Sequence, residues 1–304
     1  MKKNNFDKEI TWLKRDRPDY YAQGIKRLKT GEPVDYVIGW REFLGCKIDL
    51  SAKPLIPREE TEFWVGEVLR SWTSMSPKSN FAKPNKAACE VAFSSTKNDF
   101  SQPLRVLDLF AGSGCIGLAI LKHIPNAHVT FAEKDPKLCE QIKKNLSLFP
   151  PTTRKGAQGL SGRARVIQSD IFQAYRSRTS ISPKKLGIKY TKNPYLLKLD
   201  FVQEKFDVIF ANPPYAATSK MKLISPSVLQ WEPKKAVLGG VDGLTFIKKF
   251  LKQAKDHLNT NGRIYLEFGQ GQKTKIEKLI KQFDYAHCRF HRDQFGKWRF
   301  VVIE

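Results

Sequence analysis

The chain has no C-x-x-C pair, no apolar run approaching the roughly 20 residues that cross a bilayer, and no apolar stretch behind its basic start. Each absence removes a class of protein. The five cysteines (Cys46, Cys89, Cys115, Cys139 and Cys288) are odd in number and dispersed. They fit reduced thiols in a cytosol-like compartment, and neither a disulfide framework nor a zinc site. No membrane helix is expected. MKKNNFDKEI lacks the apolar core of a secretory signal, and its Asp7 and Glu9 weigh against a mitochondrial transit peptide, so a cytoplasmic protein is expected. Acid is scarce as well: 30 Asp and Glu stand against 53 Lys and Arg, a net charge of +23. The excess concentrates in the second half, with eight basic against two acidic residues over 173–206 and seventeen against nine over 207–304. Such a balance favours an acidic partner or an incidental affinity for RNA. A general bias toward lysine would give the same count.

The length of 304 residues accommodates one large α/β domain and a small one. Ile10, Leu13, Tyr21, Ile25 and Leu28 recur at helical spacing and predict a helix over 4–30, stopped by Gly31. GEPVDYVIGWREFLGCKIDL alternates turn signals with short apolar pieces, as a hairpin-rich linker would, and Thr61 leads into a helix carrying Phe63, Trp64, Val65, Val68 and Leu69. Residues 1–72 are expected to form a helical N-terminal module with its hairpin linker. The Ser, Lys, Asn and Pro of 73–103 predict a flexible insertion, and a second of similar texture spans about 176–204.

The main domain, 104–304, opens with RVLDLFAGSGCIGLAIL: a buried strand, a glycine-bearing turn, then a helix. HVTFAEKD is a second strand ending in Glu133, ARVIQSDIF a third ending near Asp170, and FDVIFANPPY a fourth running into Asn212, Pro213, Pro214 and Tyr215. GRIYLEFG is a fifth strand, and YAHCRFHRDQ with GKWRFVVIE forms a closing hairpin. Strands alternating with helices predict a mostly parallel sheet covered on both faces, an α/β fold with a terminal antiparallel pair. Ligands sit at the C-terminal strand ends of such sheets, where Gly112, Glu133, Asp170 and Asn212 all fall.

Consecutive prolines stiffen the chain after Asn212 and remove two N–H donors. A side-chain amide, a freed carbonyl and a phenol on a rigid turn can hold a flat NH2-bearing group. The G-x-G-x-x-G of Gly112, Gly114 and Gly117 by itself permits a dinucleotide, whose ribose an acidic strand end would bind. Asp108 before the turn, Asp170 after the third strand and NPPY after the fourth shift the balance away from NAD.

With these residues in view, the sequence resembles the S-adenosylmethionine-dependent methyltransferases that act on planar NH2 groups. Within them it resembles the HemK/PrmC family, which methylates the glutamine side chain of the GGQ motif in class I peptide chain release factors. The likeness rests on GEPVDYVIGWREFLG (31–45), PLIPREETE (54–62), DLFAGSGCIG (108–117), FDVIFANPPY (206–215), EPKKAVLGGVDGL (232–244) and LEFGQGQ (266–272). It implies a Rossmann-like, seven-stranded class I methyltransferase fold, a monomer, no metal, and S-adenosylmethionine converted to S-adenosylhomocysteine. It implies a cofactor site at Asp108, Phe110, Ala111, Gly112, Ser113, Gly114, Glu133, Asp170, Ile171 and Asn212, with Asn212, Pro213, Pro214 and Tyr215 on the substrate. Asp108 would reach the cofactor's ammonium or brace the turn, Glu267 would be structural, and Arg58 and Glu62 would tie the N-terminal module to the core. Three positions depart from the family pattern: Phe110 where glycine is usual, Glu59 where proline is, and Glu133 where aspartate is. The first implies a turn made sharp by Gly112 and Gly114 alone. The alternative is a nucleic-acid methyltransferase gripping adenine N6 or guanine N2, for which a flipped base would need stacking and phosphate contacts. A basic scaffold that binds the cofactor without transferring methyl groups is a more distant third.

Overall fold

The computed structural model describes residues 3–73, 103–149, 160–175 and 204–304. The expected insertions over 73–103 and 176–204 lie outside these apart from their end residues. Where one N-terminal helix was expected there are two, α1 (Lys3–Asp16) and α2 (Tyr21–Lys29). The break falls at Arg17-Pro18: Pro18 has no N–H to give, and Arg17 leaves helical geometry at φ −145°, ψ 60°. The linker is likewise part helix, with α3 (Val34–Ile38) ahead of a single hairpin of β1 (Trp40–Phe43) and β2 (Cys46–Asp49). Its aromatic and β-branched residues disguise the short helix, which ends in the left-handed Gly39 at φ 91°.

The packing divides this region. Leu13, Leu28, Val34, Val37 and Ile38 make a small core of their own among α1–α3. Helix α4 (Glu59–Thr73) instead joins the core of the main sheet. Trp64 stacks on Phe210 and Phe300, with ring centroids 5.9 and 5.1 Å away, and Trp72 meets Phe210 and Tyr265 edge-on. Burial of this kind makes truncation of such a tryptophan cost about 3–5 kcal/mol.

Among the described residues the sheet has seven strands: β3 (Leu104–Leu109), β4 (Ala127–Glu133), β5 (Ala164–Gln168), β6 (Phe206–Ala211), β7 (Leu258–Glu267), β8 (Cys288–Arg292) and β9 (Trp298–Ile303). Their spatial order is β5-β4-β3-β6-β7-β9-β8. The first five run parallel, and β9 lies antiparallel to both β7 and β8, as the closing hairpin predicted. This is the class I methyltransferase fold expected from the sequence. Helices α5 (Cys115–His123), α6 (Pro136–Ser147), α7 (Pro226–Trp231), α8 (Lys234–Val237), α9 (Thr245–Ala254) and α10 (Lys273–Gln282) complete it. The order changes direction at β3, whose neighbours are β4 on one side and β6 on the other, so a crevice opens beyond their C-terminal ends.

Candidate active site

A cavity of about 350 Å³ fills that crevice. Its floor is the turn after β3, its side walls are the ends of β4 and the turn after β5, and Asn212 and Pro214 close one end. Residues 55–58 with Thr61, and Pro233 with Lys235 and Ala236 of α8, complete the lining.

The turn after β3 is held in left-handed geometry by three residues: Phe110 at φ 62°, Gly112 at φ 57° and Gly114 at φ 80°. Phe110 therefore takes the strained conformation itself, and the expectation that Gly112 and Gly114 alone would sharpen the turn is corrected. A non-glycine residue there costs about 1–2 kcal/mol. Edge contacts of the Phe110 ring with Phe246 and Phe250, at 6.3 and 6.4 Å between centroids, offset part of that cost. Ile171, a β-branched residue at φ 56°, carries similar strain on the facing wall.

Glu133 lies between these two strained points. One carboxylate oxygen accepts from Gly112 N and the other from Asp135 N, each at 2.9 Å. Each oxygen retains a lone pair for a further donor in the cavity. Asp108 behaves differently. It is 1% exposed, does not line the cavity, and accepts at 2.9 Å from Gly117 N, one of the free N–H groups in the first turn of α5. It braces the turn from behind. Burial pushes its pKa up to about 8, against the lowering effect of that hydrogen bond.

At the other end, three distant segments converge on the prolines. The loop after α8 passes so close that a side chain at Gly239 would sit 2.4 Å from Pro214 O, and one at Gly243 would sit 2.2 Å from Tyr215 O. Gln272 donates to Tyr215 O at 2.9 Å and accepts from Gly269 N at 2.8 Å. Thus the 232–244 and 266–272 segments fix the backbone of the turn. Glu267, wholly buried, accepts from Thr61 Oγ1 at 2.7 Å, Trp64 Nε1 at 2.7 Å and Tyr215 OH at 3.0 Å. Thr61 in turn accepts from Asn212 Nδ2 at 3.4 Å.

Of the residues singled out in the sequence, Phe110, Ala111, Gly112, Ser113, Glu133, Asp170, Ile171, Asn212 and Pro214 line this one cavity. Asp108, Gly114, Pro213 and Tyr215, expected on the cofactor or the substrate, are not among the residues that line it; the Tyr215 hydroxyl is turned to Glu267 and Asp108 to Gly117 N. Arg58 does tie the N-terminal region to the core, but through Glu232 at 2.7 Å, and Glu62 accepts from Leu44 N instead. Thr61, Glu232 and Lys235 had not been singled out as site residues, although PLIPREETE and EPKKAVLGGVDGL contain them. Lys235 pairs with Asp135, the N-cap of α6, across the cavity mouth.

The family description "Conserved hypothetical protein 95" matches residues 73–177. A release factor glutamine methyltransferase of Thermodesulfovibrio yellowstonii is 29% identical over 280 residues, 92% of this chain and 79% of its own length. Those of Geobacter sulfurreducens and Lactococcus lactis are each 27% identical, over 91% and 97% of this chain and 75% and 88% of theirs. Among solved structures, the hMettl16 catalytic domain in complex with the MAT2A 3'UTR hairpin 6 matches with a TM-score of 0.50 at 14% identity, covering 86% of this chain and 75% of that one. That likeness is one of fold.

The chain has the class I methyltransferase fold, and the relatives it matches are named as methyltransferases. Its particular resemblance, sustained over nine-tenths of its length, is to the release factor glutamine methyltransferases, as its motifs implied. The residues present fit the cofactor: Glu133 keeps acceptors for a ribose diol, and the cavity has the volume of a small-molecule site.

Proposed function

We propose that this protein methylates the side-chain amide nitrogen of the glutamine in the GGQ loop of class I peptide chain release factors. One observation carries the reading: a single cavity holds both the Gly112–Glu133–Ile171 corner and the Asn212–Pro214 turn. The names of the relatives support the choice of substrate. Gly112, Ser113, Glu133, Asp170 and Ile171 would hold the cofactor. When bound, it supplies a methyl group on a positively charged sulfur, and transfer of that methyl to nitrogen leaves S-adenosylhomocysteine and one proton for the solvent.

An amide nitrogen is a poor nucleophile because its lone pair is delocalised into the carbonyl. Asn212 Oδ1, at the cavity surface, accepts from one of its N–H groups, which orients the nitrogen and raises its electron density as the new bond forms. Pro214 and the walls around it exclude water. Alignment at roughly 3–3.5 Å then supplies much of the rate. Helices α1–α3, with a core of their own, present the release factor to the turn. One chain contributes both ends of the cavity, so a monomer suffices, acting in the cytoplasm where its partner works.

The test is transfer of labelled methyl to a purified release factor, to its GGQ-glutamine variant and to ribosomal RNA in parallel. Label is expected on the first alone. Label on RNA but not on the release factor would overturn the substrate assignment in favour of a nucleic-acid amino group. Asn212→Ala should lower turnover by about 100-fold, the effect of losing one oriented catalytic hydrogen bond. Near-normal turnover in that variant would remove Asn212 from the chemistry.

A further inference from the structure

Glu267 sits at the end of β7 with no exposed surface, where a carboxylate survives only if its oxygens are well supplied with donors. Its donors come from far along the chain: Thr61 and Trp64 of α4 share Oε2, and Tyr215 of the turn after β6 takes Oε1. The indole of Trp64 can only donate and the Glu267 carboxylate can only accept, so Oε2 receives a proton from each of Trp64 and Thr61. The single hydroxyl proton of Thr61 is therefore committed to Oε2 at 2.7 Å, and only lone pairs remain on Oγ1 for Asn212. An amide meets an acceptor with its NH2 group, here Nδ2 at 3.4 Å. Its oxygen is then the atom left for a substrate. Were the Thr61 proton free to turn toward Asn212, the amide could rotate and offer NH2 to the substrate's own NH2, which repels.

We propose that Glu267 and Thr61 are positioning residues that fix which end of the Asn212 amide meets the substrate. Neither touches the reacting atoms; they act through Asn212. The inference rests on the reading of Asn212 as the acceptor for a substrate NH2. It gives α4 a part in setting the reaction's selectivity, beyond its part in the core.

The test is Thr61→Val, which keeps the shape and removes the hydroxyl, with Thr61→Ser as the rescue. Thr61→Val should lower kcat about 10- to 100-fold, the usual cost of losing a group that orients a functional side chain. KM for the release factor, and affinity for S-adenosylhomocysteine, should stay within a few-fold. Thr61→Ser should restore kcat. The side-chain amide resonance of Asn212, assigned by its loss in Asn212→Ala, gives a readout on the free protein without cofactor or substrate. It should move in Thr61→Val and return in Thr61→Ser. If Thr61→Val does not fold, Glu267→Gln should move the same resonance in the same direction by less, because a neutral amide is the weaker acceptor. An unmoved resonance in the folded variant, or unchanged kcat in Thr61→Val, overturns the proposal, as does failure of Thr61→Ser to restore both. A wild-type enzyme that leaves release factors unlabelled would sink the substrate assignment, and the resonance would still decide the tether.

Discussion

At the Glu133 end of the cavity backbone amides do the holding, whereas at the Asn212 end side chains hold other side chains. Glu133 is fixed by the N–H groups of Gly112 and Asp135, and Asp108 by that of Gly117, within 21, 2 and 9 residues in sequence. Asn212 depends on Thr61, and Thr61 on Glu267, at separations of 151 and 206 residues. The first arrangement belongs to one βαβ unit and comes with the fold. The second needs three elements to be in place together, so it can impose geometry on a substrate that the fold alone would not. The two ends should accordingly fail in separable ways.

The largest separation is expected for Glu133→Ala. It removes two charged acceptors proposed for the ribose diol, each worth about 1.5–3 kcal/mol, so affinity for S-adenosylhomocysteine should drop by about 100-fold or more by calorimetry. Asn212→Ala should leave the same affinity within a few-fold while turnover falls. If either variant damaged both quantities equally, the two ends would be one cooperative unit and the contrast would be wrong.

The contrast also explains what the sequence made visible. A glycine turn, an acid one strand later and NPPY are each local, and strand-end positions can be counted from hydrophobic runs; so the sheet, its closing hairpin and the Gly112, Glu133, Asp170 and Asn212 corner were all legible. Thr61, Trp64 and Glu267 carried no local signal, because a threonine and a glutamate in amphipathic surroundings look the same whether or not they meet across the fold. The break at Pro18 is hidden because helical spacing continues on either side of it, so the pattern reads as one helix over 4–30. The conformation of Phe110 was concealed because left-handed geometry is read from glycine, and here a phenylalanine adopts it under the pull of Phe246 and Phe250.

The two buried carboxylates sharpen the comparison through pH. Asp108 has one backbone donor where Glu267 has three side-chain donors, and burial brings its pKa to about 8. Between its ordinary value near 3.8 and 8 the folded protein keeps a proton that the unfolded chain has lost. Stability contributed by Asp108 is thus present at low pH, falls as pH rises through that window, and levels off above it. Asp108→Asn keeps the acceptor for Gly117 N and abolishes the titration. Thermal melts from pH 5 to 9 should show a shallower decline of Tm in the variant than in the wild type. Equal slopes would mean that Asp108 is ionised in the folded state.

The smallest effect, and the finest test of how the backbone-held end works, is expected for Phe110→Gly. Glycine relieves a left-handed cost of about 1–2 kcal/mol. The lost ring gives up two edge contacts of about 0.5–1.5 kcal/mol each, along with the apolar surface they cover. The losses exceed the relief by a small margin, so Tm should fall by several degrees. Because the ring also lines the cavity beside Ile171, S-adenosylhomocysteine should bind a few-fold more weakly. Asn212 should not notice: its amide resonance and the ratio of turnover between wild type and Thr61→Val should be the same in a Phe110→Gly background. A change in that ratio would show strain passing from the turn after β3 to the turn after β6 through the paired strands Leu109 and Ala211. The independence of the two ends would then be lost.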